Sequence, residues 1–466
     1  EIYGARHRAH RTHRHMIENR YLLLDTSLWA EAENLIVRPG RACKAGQNPL
    51  FGEDLPWEVR HDNLYANVIF DPTDSLYKCW YNPFIIDVAT SDTPPAQRQP
   101  GAYRAALAEA HAAEHIRKHR EMGVCYAVST DGIHWDRPEL GLIEFNGSTR
   151  NNLVMRDVHG VGVTLDPHDP DPAGRFKAFM EGGTARSPDG LHWSPLQPCP
   201  EIDARWDTHN NLFWDEGNGR YVGITRLWDG RQRTVGRTES VDFNSWTRAV
   251  EVLQALPNEP DRQTYALIAF PYAQLYLGLL MMFDTATDLV DCELAWSRDT
   301  VQWQRVSPGT PLIERGAEGS FDWGCVYAGA YPFLKDGRLQ LYYGGSDGPH
   351  TDWRSAHLGL ATLRPDGFAG LTPANRTQTA TLVTQPVQCS GRRLHVSADA
   401  DGGMIRAAVA EVDGRSLADS VPVQADVTDQ PLQWRDGSDL PALEGREIRL
   451  IFELRDATLY SFSFSD

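Results

Sequence analysis

Three carboxylates stand at positions where they could do chemistry together: Asp62 in Trp57-Glu-Val-Arg-His-Asp62-Asn-Leu, Asp207 in Arg205-Trp-Asp207, and Glu259 in Asn258-Glu259-Pro260-Asp261. Each lies just ahead of a strand-like run. A carboxylate pair is the minimal kit for breaking a glycosidic acetal. One acid must be protonated to hand a proton to the leaving oxygen, and the other must be ionised to attack the anomeric carbon or to activate water. A third acid nearby helps to hold the donor protonated. These three are the candidate catalytic residues. Polar and aromatic neighbours supply hydroxyl-binding groups: His61, Asn63, His159 and His209; then Arg226, Trp228, Asp261, Arg262 and Gln263; and last Asp322, Trp323 and His350.

A lone Asp ahead of a strand usually caps a turn. What favours chemistry is that three acids keep step with the strand starts. Other chemistries lack their residues. The loop Gly344-Gly-Ser-Asp-Gly-Pro-His350 has no following Lys-Ser/Thr and is no phosphate cradle. The His residues of Arg6-His-Arg-Ala-His-Arg-Thr-His-Arg-His15 are loosely spaced at a terminus and read as a solvated arm. The 7 Cys show no CxxC pair and read as buried free thiols, so neither a metal nor another cofactor is expected.

Acids so distant in sequence meet only if the strands that carry them converge. A turn motif repeats as Ser129-Thr-Asp-Gly-Ile-His-Trp135, Ser187-Pro-Asp-Gly-Leu-His-Trp193, Ser240-Val-Asp-Phe-Asn-Ser-Trp246, Ser297-Arg-Asp-Thr-Val-Gln-Trp303 and, degenerate, Arg364-Pro-Asp-Gly-Phe368. Ser and Asp bond local backbone and Gly accepts a positive φ, which suits a tight hairpin. Ahead of each motif run two alternating strands, such as Asp62–Asp71 and Leu76–Tyr81. Repeats of this grammar predict an all-β chain: a five-bladed β-propeller followed by a C-terminal β-sandwich. The expected boundaries are an arm with packing strands over 1–50, the propeller over 51–375, and the sandwich over 376–466. One helical insertion falls in the first blade, at about 93–122, with Tyr103–Arg120 free of breakers. It either walls the pocket or contacts a second copy of the chain.

The formal net charge of −18 argues against nucleic acid or an anionic membrane surface as partner and leaves a neutral polymer such as a polysaccharide open. No run of 18 apolar residues is present to span a bilayer. The compartment stays open, cytoplasmic or secreted, because a leader removed before Glu1 would be out of view.

With acids at the openings of blades and a sandwich behind, the chain resembles glycoside hydrolase family 32, which cleaves fructans and sucrose, and its five-bladed relatives, families 43, 68, 117 and 130. The first family box, Trp-x-Asn-Asp-Pro-Asn-Gly, is matched by Asp62 and Asn63 without the Asp-Pro pair or the Gly. Its Arg-Asp-Pro box is matched loosely by Arg205-Trp-Asp207, and its Glu-Cys-Pro box by Glu259-Pro260. The resemblance implies a β-fructofuranosidase-like hydrolase without cofactor, acting on a terminal sugar, with Asp62 as nucleophile or base, Asp207 as partner in the transition state and Glu259 as general acid. Two alternatives keep the fold: a glycan-binding propeller without catalysis, and a phosphorylase, for which Arg226, Arg262 and Arg354 are candidate phosphate ligands.

Overall fold

A computed structural model describes residues 19–113, 118–437, 439–440 and 443–466. The basic arm at 6–15 and the stretch 114–117 of the expected helix lie outside these. The fold is all-β, and each sequence repeat falls on one antiparallel unit. The first unit orders Asn67–Asp71, Leu76–Tyr81 and Arg120–Ser129, with Phe84–Asp87 and Leu153–Arg156 also on the third strand. The second runs from Gly162–Leu165 through Phe176–Met180 and Gly183–Ser187 to Gln197–Pro198. Asn211–Asp215, Arg220–Trp228, Arg233–Ser240 and Val250–Leu253 form the third. The fourth holds Arg262–Tyr272, Leu275–Asp284, Leu289–Ser297 and Trp303–Arg305. In the fifth, Cys325–Ala328, Arg338–Ser346 and Ala356–Leu363 are completed by Cys43–Lys44 from the start of the chain. The last two units touch through one parallel pair, Val290 with Cys325.

The first strands are stitched side by side by buried amides. The Asn67 side chain donates to the Val161 carbonyl (2.9 Å) and accepts from the Val163 amide (3.0 Å). Asn211 repeats the device, donating to Leu267 (2.6 Å) and accepting from Ala269 (3.2 Å). Backbone bonds from Asn210 to Gly160 and between Val68, Ala66 and Ala330 extend the circuit. A Cβ on Gly162 would lie 1.9 Å from the Asn210 carbonyl oxygen, so the second and third units approach only because that residue has no side chain.

The repeated turn closes the same way in its full copies. Ser129 Oγ accepts from Gly132 N (2.9 Å), and Asp131 Oδ1 from Ile133 and His134 N (2.8 Å each). Ser187 and Asp189 make the equivalent bonds. In the weaker copies Phe243 (φ 64) and Thr300 (φ 65) occupy the left-handed position that Gly132 and Gly190 take elsewhere. The degenerate copy differs. Asp366 is buried and accepts from Arg20 (2.6 Å), Tyr272 (2.8 Å), Ser397 (3.1 Å) and Ser461 (2.6 Å), where the fourth unit meets the C-terminal sheets.

Those C-terminal sheets draw in both chain ends. One orders Leu35–Pro39, Ala369–Pro373, Thr458–Ser465, Arg393–Asp399 and Asp426–Pro431, with Arg20–Leu22 on Thr458–Ser465. The other orders Trp29–Glu33, Ala380–Thr384, Leu450–Arg455 and Met404–Val409. Leu371, Leu382, Val396, Ile405, Phe452 and Phe462 form part of a single core. Ala369–Pro373 thus already pairs there, ahead of residue 376.

The insertion carries helices over Val88–Asp92 and Tyr103–Ala112 with a short 3-10 turn at Pro95–Gln97. The expected helix ends early because Arg120 opens a strand paired with Asp87. Among the described residues no helix is long and apolar enough to cross a membrane. All 7 cysteines are free; six are buried, while Cys43, contrary to expectation, is exposed on its short strand.

Candidate active site

The loop before the first strand is tightly wound. Leu64 N donates to His61 O (2.8 Å) and Tyr65 N to Asn63 O (2.7 Å), with Asp62, Leu64 and Tyr65 all left-handed (φ 56, 63 and 43). Each such non-glycine residue costs on the order of 1–3 kcal/mol, so the surroundings must hold it. Glu53 does part of this: its Oε1 accepts from His61 N (2.7 Å) and Ala356 N (3.2 Å), tying the Asp62 loop to the Arg354 loop. The Asp207 loop is wound similarly, with Trp206 at φ 56 and Arg205 N bonded to Arg226 O (2.9 Å).

Asp62 Oδ1 accepts from Arg354 Nη2 (2.7 Å) and Arg60 Nε (3.2 Å). Burial pushes this carboxyl up, but Arg354, Arg60 and Arg120 overcome it and hold the group far below the usual carboxylate range. Beside it, Asn63 donates to the hydroxyls of Tyr65 (2.9 Å) and Tyr265 (2.8 Å), which lie 3.4 Å apart. Burial first, then neighbouring negative charge, pushes both phenols up, so they stay protonated. Asp62 and Asp207 both act electrostatically on this tyrosine pair. Asp62 is tied to this pair through Arg354, which also bonds Asn63 Oδ1 (2.7 Å), and Asp207 through Arg226 over the Tyr265 ring and His159 against the Tyr65 ring (6.0 Å).

Asp207 is the open member, its side chain 57% exposed. Its Oδ2 accepts from Arg226 (2.5 Å), and His159 Nε2 stands 3.6 Å from Oδ1. Arg226 and Arg233 lie over the Tyr265 ring at 5.8 and 5.6 Å. His350 packs against Tyr265 (4.8 Å) and bonds Tyr327 Oη (2.6 Å); burial and Arg354 keep its imidazole neutral. A side cavity of about 270 Å³ opens beside His159, lined also by Phe84, Arg120 and Glu181.

Asn63, His159, Arg226 and His350 thus gather with Asp62 and Asp207. Glu259 does not join them. Both its oxygens are taken by Arg305, one also by Leu256 N (3.1 Å), and Arg305 in turn bonds buried Glu293 (2.7 Å). Although burial opposes it, Arg305 pulls the Glu259 carboxyl below its ordinary range, the reverse of what a proton donor needs. Arg262 belongs to the same cluster through Glu293 (2.8 Å) and Asp291 (3.5 Å). Asp261 is exposed and caps a turn through its carbonyl.

His61 points into the core, its Nδ1 on the Ala356 carbonyl (2.9 Å) and its Nε2 3.8 Å from Glu58. His209 is buried on Asn67 (3.0 Å), and burial lowers its imidazole to about 3. Asp322 fastens the first-chain strand through Lys44 (2.6 Å) and Tyr343 (2.8 Å), while Trp323 offers its carbonyl to Arg315. Gln263 accepts from Arg233 (2.7 Å), and Trp228 remains 46% exposed.

The residues absent from the sequence reading are Arg60, Tyr65, Arg233, Tyr265 and Tyr327. Arg354 entered it only as a phosphate candidate. The signal for the tyrosines was only proximity to a strand start: Tyr65 lies just ahead of Asn67–Asp71, and Tyr265 and Tyr327 stand near the beginnings of Arg262–Tyr272 and Cys325–Ala328. The insertion walls this side of the site. The Arg60 guanidinium lies on the Tyr103 ring (4.0 Å), Tyr103 packs on Trp353 (4.9 Å), and Gly101 N donates to Asp352 (2.5 Å).

No protein-family model and no curated protein matches the chain. Among solved structures it is similar to a protein from the glycoside hydrolase family 130 of mannoside phosphorylases, described with hydrolases that target β-1,2 mannosidic linkages in Candida mannan (14% identity, 70% of this chain, 95% of the other, TM-score 0.46). It is also similar to the β-1,2-mannobiose phosphorylase of Listeria innocua (15%, 69% and 96%, TM-score 0.46). A third likeness is the α-L-arabinofuranosidase of Podospora anserina (10%, 72% and 98%, TM-score 0.44). Likenesses this distant fix neither substrate nor reaction.

Proposed function

We propose that this chain is a glycoside-cleaving enzyme, built as a five-bladed β-propeller with a β-sandwich behind it, whose acid/base chemistry runs between Asp62 and Asp207. The observation that carries the reading is that Asp62, through Arg354 and Asn63, and Asp207, through Arg226 and His159, both connect to the Tyr65–Tyr265 pair. Asp62, held ionised by Arg354 and Arg60, attacks the anomeric carbon or activates water. Asp207 carries the proton. Its exposed side chain leaves it open to the leaving oxygen of a bound sugar. The tyrosine hydroxyls, fixed by Asn63, orient sugar hydroxyls, and Asp207 takes the donor role first expected of Glu259.

The test is sugar release from a panel of glycosides and oligosaccharides, β-fructofuranosides included, by Asp62→Asn and Asp207→Asn. Loss of roughly 10²–10⁴ in kcat is expected for each, the usual size of an acid/base contribution. Turnover within threefold of wild type in either variant would contradict the assignment.

A second reading, phosphorolysis, is favoured by Arg226, Arg233 and Arg354 gathering around Tyr265 and Tyr327. It requires turnover to depend on inorganic phosphate and to yield a sugar phosphate.

A further inference from the structure

Arg220–Trp228 and Arg233–Ser240 form one hairpin, with Arg226 opposite Val235 and Trp228 opposite Arg233. Cross-strand partners, and residues two along, project from the same face. Arg226, Trp228 and Arg233 therefore share a face, and the two arginines are diagonal neighbours, within reach of each other's charge.

The charges there do not balance. Asp207 pairs with Arg226 Nη2 at 2.5 Å. Arg233 gives Nη1 to a neutral partner, Gln263 (2.7 Å), and among the described residues it forms no ion pair. Burial, with Arg226 adding repulsion, pushes the Arg233 guanidinium below its ordinary range. Arg226 is only 7% exposed, yet its Nη1 has no hydrogen-bond partner, and neither does the buried Nε of Arg233. A buried cation and buried donors without acceptors are both costly unless something anionic arrives. Trp228, on the same face, leaves an indole 46% exposed. An exposed Trp beside a polar site offers a flat apolar surface to one face of a sugar ring.

We propose that the substrate is an acidic sugar: Trp228 carries the ring of a uronic-acid residue while Arg226 Nη1 and Arg233 Nε receive its carboxylate. The proposal rests on the reading of the site as carbohydrate-cleaving. A carboxylate is favoured over phosphate by charge. Phosphate brings a second negative charge beside Asp207, whereas a carboxylate brings one, which matches Arg233, the cation left without an ion pair among the described residues. The neighbouring arginines are already charge-paired with Asp62. Arg354 Nη2 is shared by Asp62 and Asn63 (2.7 Å each), and Arg60 bonds Asp62 and the Asp352 carbonyl (3.0 Å).

The experiment is titration of the purified chain with glucuronate and galacturonate, with glucose, galactose and inorganic phosphate as comparison ligands, at low and high salt. Either uronate is expected to bind at least about tenfold more tightly than its neutral counterpart, a preference that salt reduces. Arg233→Met abolishes the preference and Arg233→Lys keeps part of it. Equal binding of acidic and neutral sugars by folded wild type overturns the proposal, as does phosphate binding more tightly than both uronates. A preference that survives in Arg233→Met does the same. Uronate binding without turnover of any glycoside leaves the inference standing and removes the enzymatic reading. Cleavage of neutral and acidic glycosides at equal rates does the opposite.

Discussion

Asp62 and Glu259 are both ionised by arginines, with opposite consequences. Asp62 sits in a strained loop next to Asn63, which holds two hydroxyls, and keeps part of its side chain open (18% exposed), so its charge is available to a substrate. Glu259 spends both oxygens on Arg305, and that ion pair is structural. Glu259→Gln is therefore expected to keep turnover within about threefold and to cost about 1 kcal/mol in a urea melt, since Glu293 still satisfies Arg305. Asp62 and Asp207 were legible because each directly precedes a first strand. Glu259 satisfied the same rule but is drawn away by Arg305, more than forty positions later in the chain, and sequence spacing gives no warning of that. His61 failed similarly. In a wound loop successive side chains diverge, so the neighbour of a site residue turned into the core.

The turns and the loops behind the site behave as separate elements. Asp189→Ala removes the acceptor of the Leu191 and His192 amides and is expected to cost roughly 1–2 kcal/mol, as loss of a helix cap does, without changing turnover. Beneath Asp62, burial pushes the Glu58 carboxyl up, but His61 and Arg137 bring it down to about 2. A depressed carboxylate stabilises the fold above its unfolded pKa, roughly 4.3, and that contribution fades as pH falls towards 2. For His61 burial lowers the imidazole while Glu58 raises it above its ordinary value, so its contribution is complete in mild acid and is lost as pH rises through the folded pKa. Glu58→Gln should flatten the fall of the urea midpoint between pH 5 and 3; an unchanged slope would contradict this pairing. These turns could be read from Ser-x-Asp-Gly alone because their bonds are local. The insertion was only half legible. Tyr103–Ala112 is helical as its composition suggests, but pairing with Asp87 makes a strand of Arg120, where tertiary contact overrides propensity.

Across the whole molecule, a repeat provides the convergence and a broken repeat provides the join. Register counted from the turns brought residues of the first, third and fifth units to one place, which no local pattern could have done. Asp366, in the degenerate copy, instead gathers Arg20, Tyr272, Ser397 and Ser461 between the repeat units and the C-terminal sheets. Asp366→Ala takes the 2.6 Å carboxylate from buried Arg20 and the shared acceptor from Tyr272, Ser397 and Ser461, and is expected to cost about 3–5 kcal/mol, read as a lower urea midpoint. That join was illegible because its partners come from four distant segments. The site as a whole is most directly tested by turnover of Asp62→Asn, Asp207→Asn and Glu259→Gln, measured side by side on one glycan panel. A collapse in the two aspartate variants with Glu259→Gln near wild type is predicted; loss confined to Glu259→Gln would contradict the account.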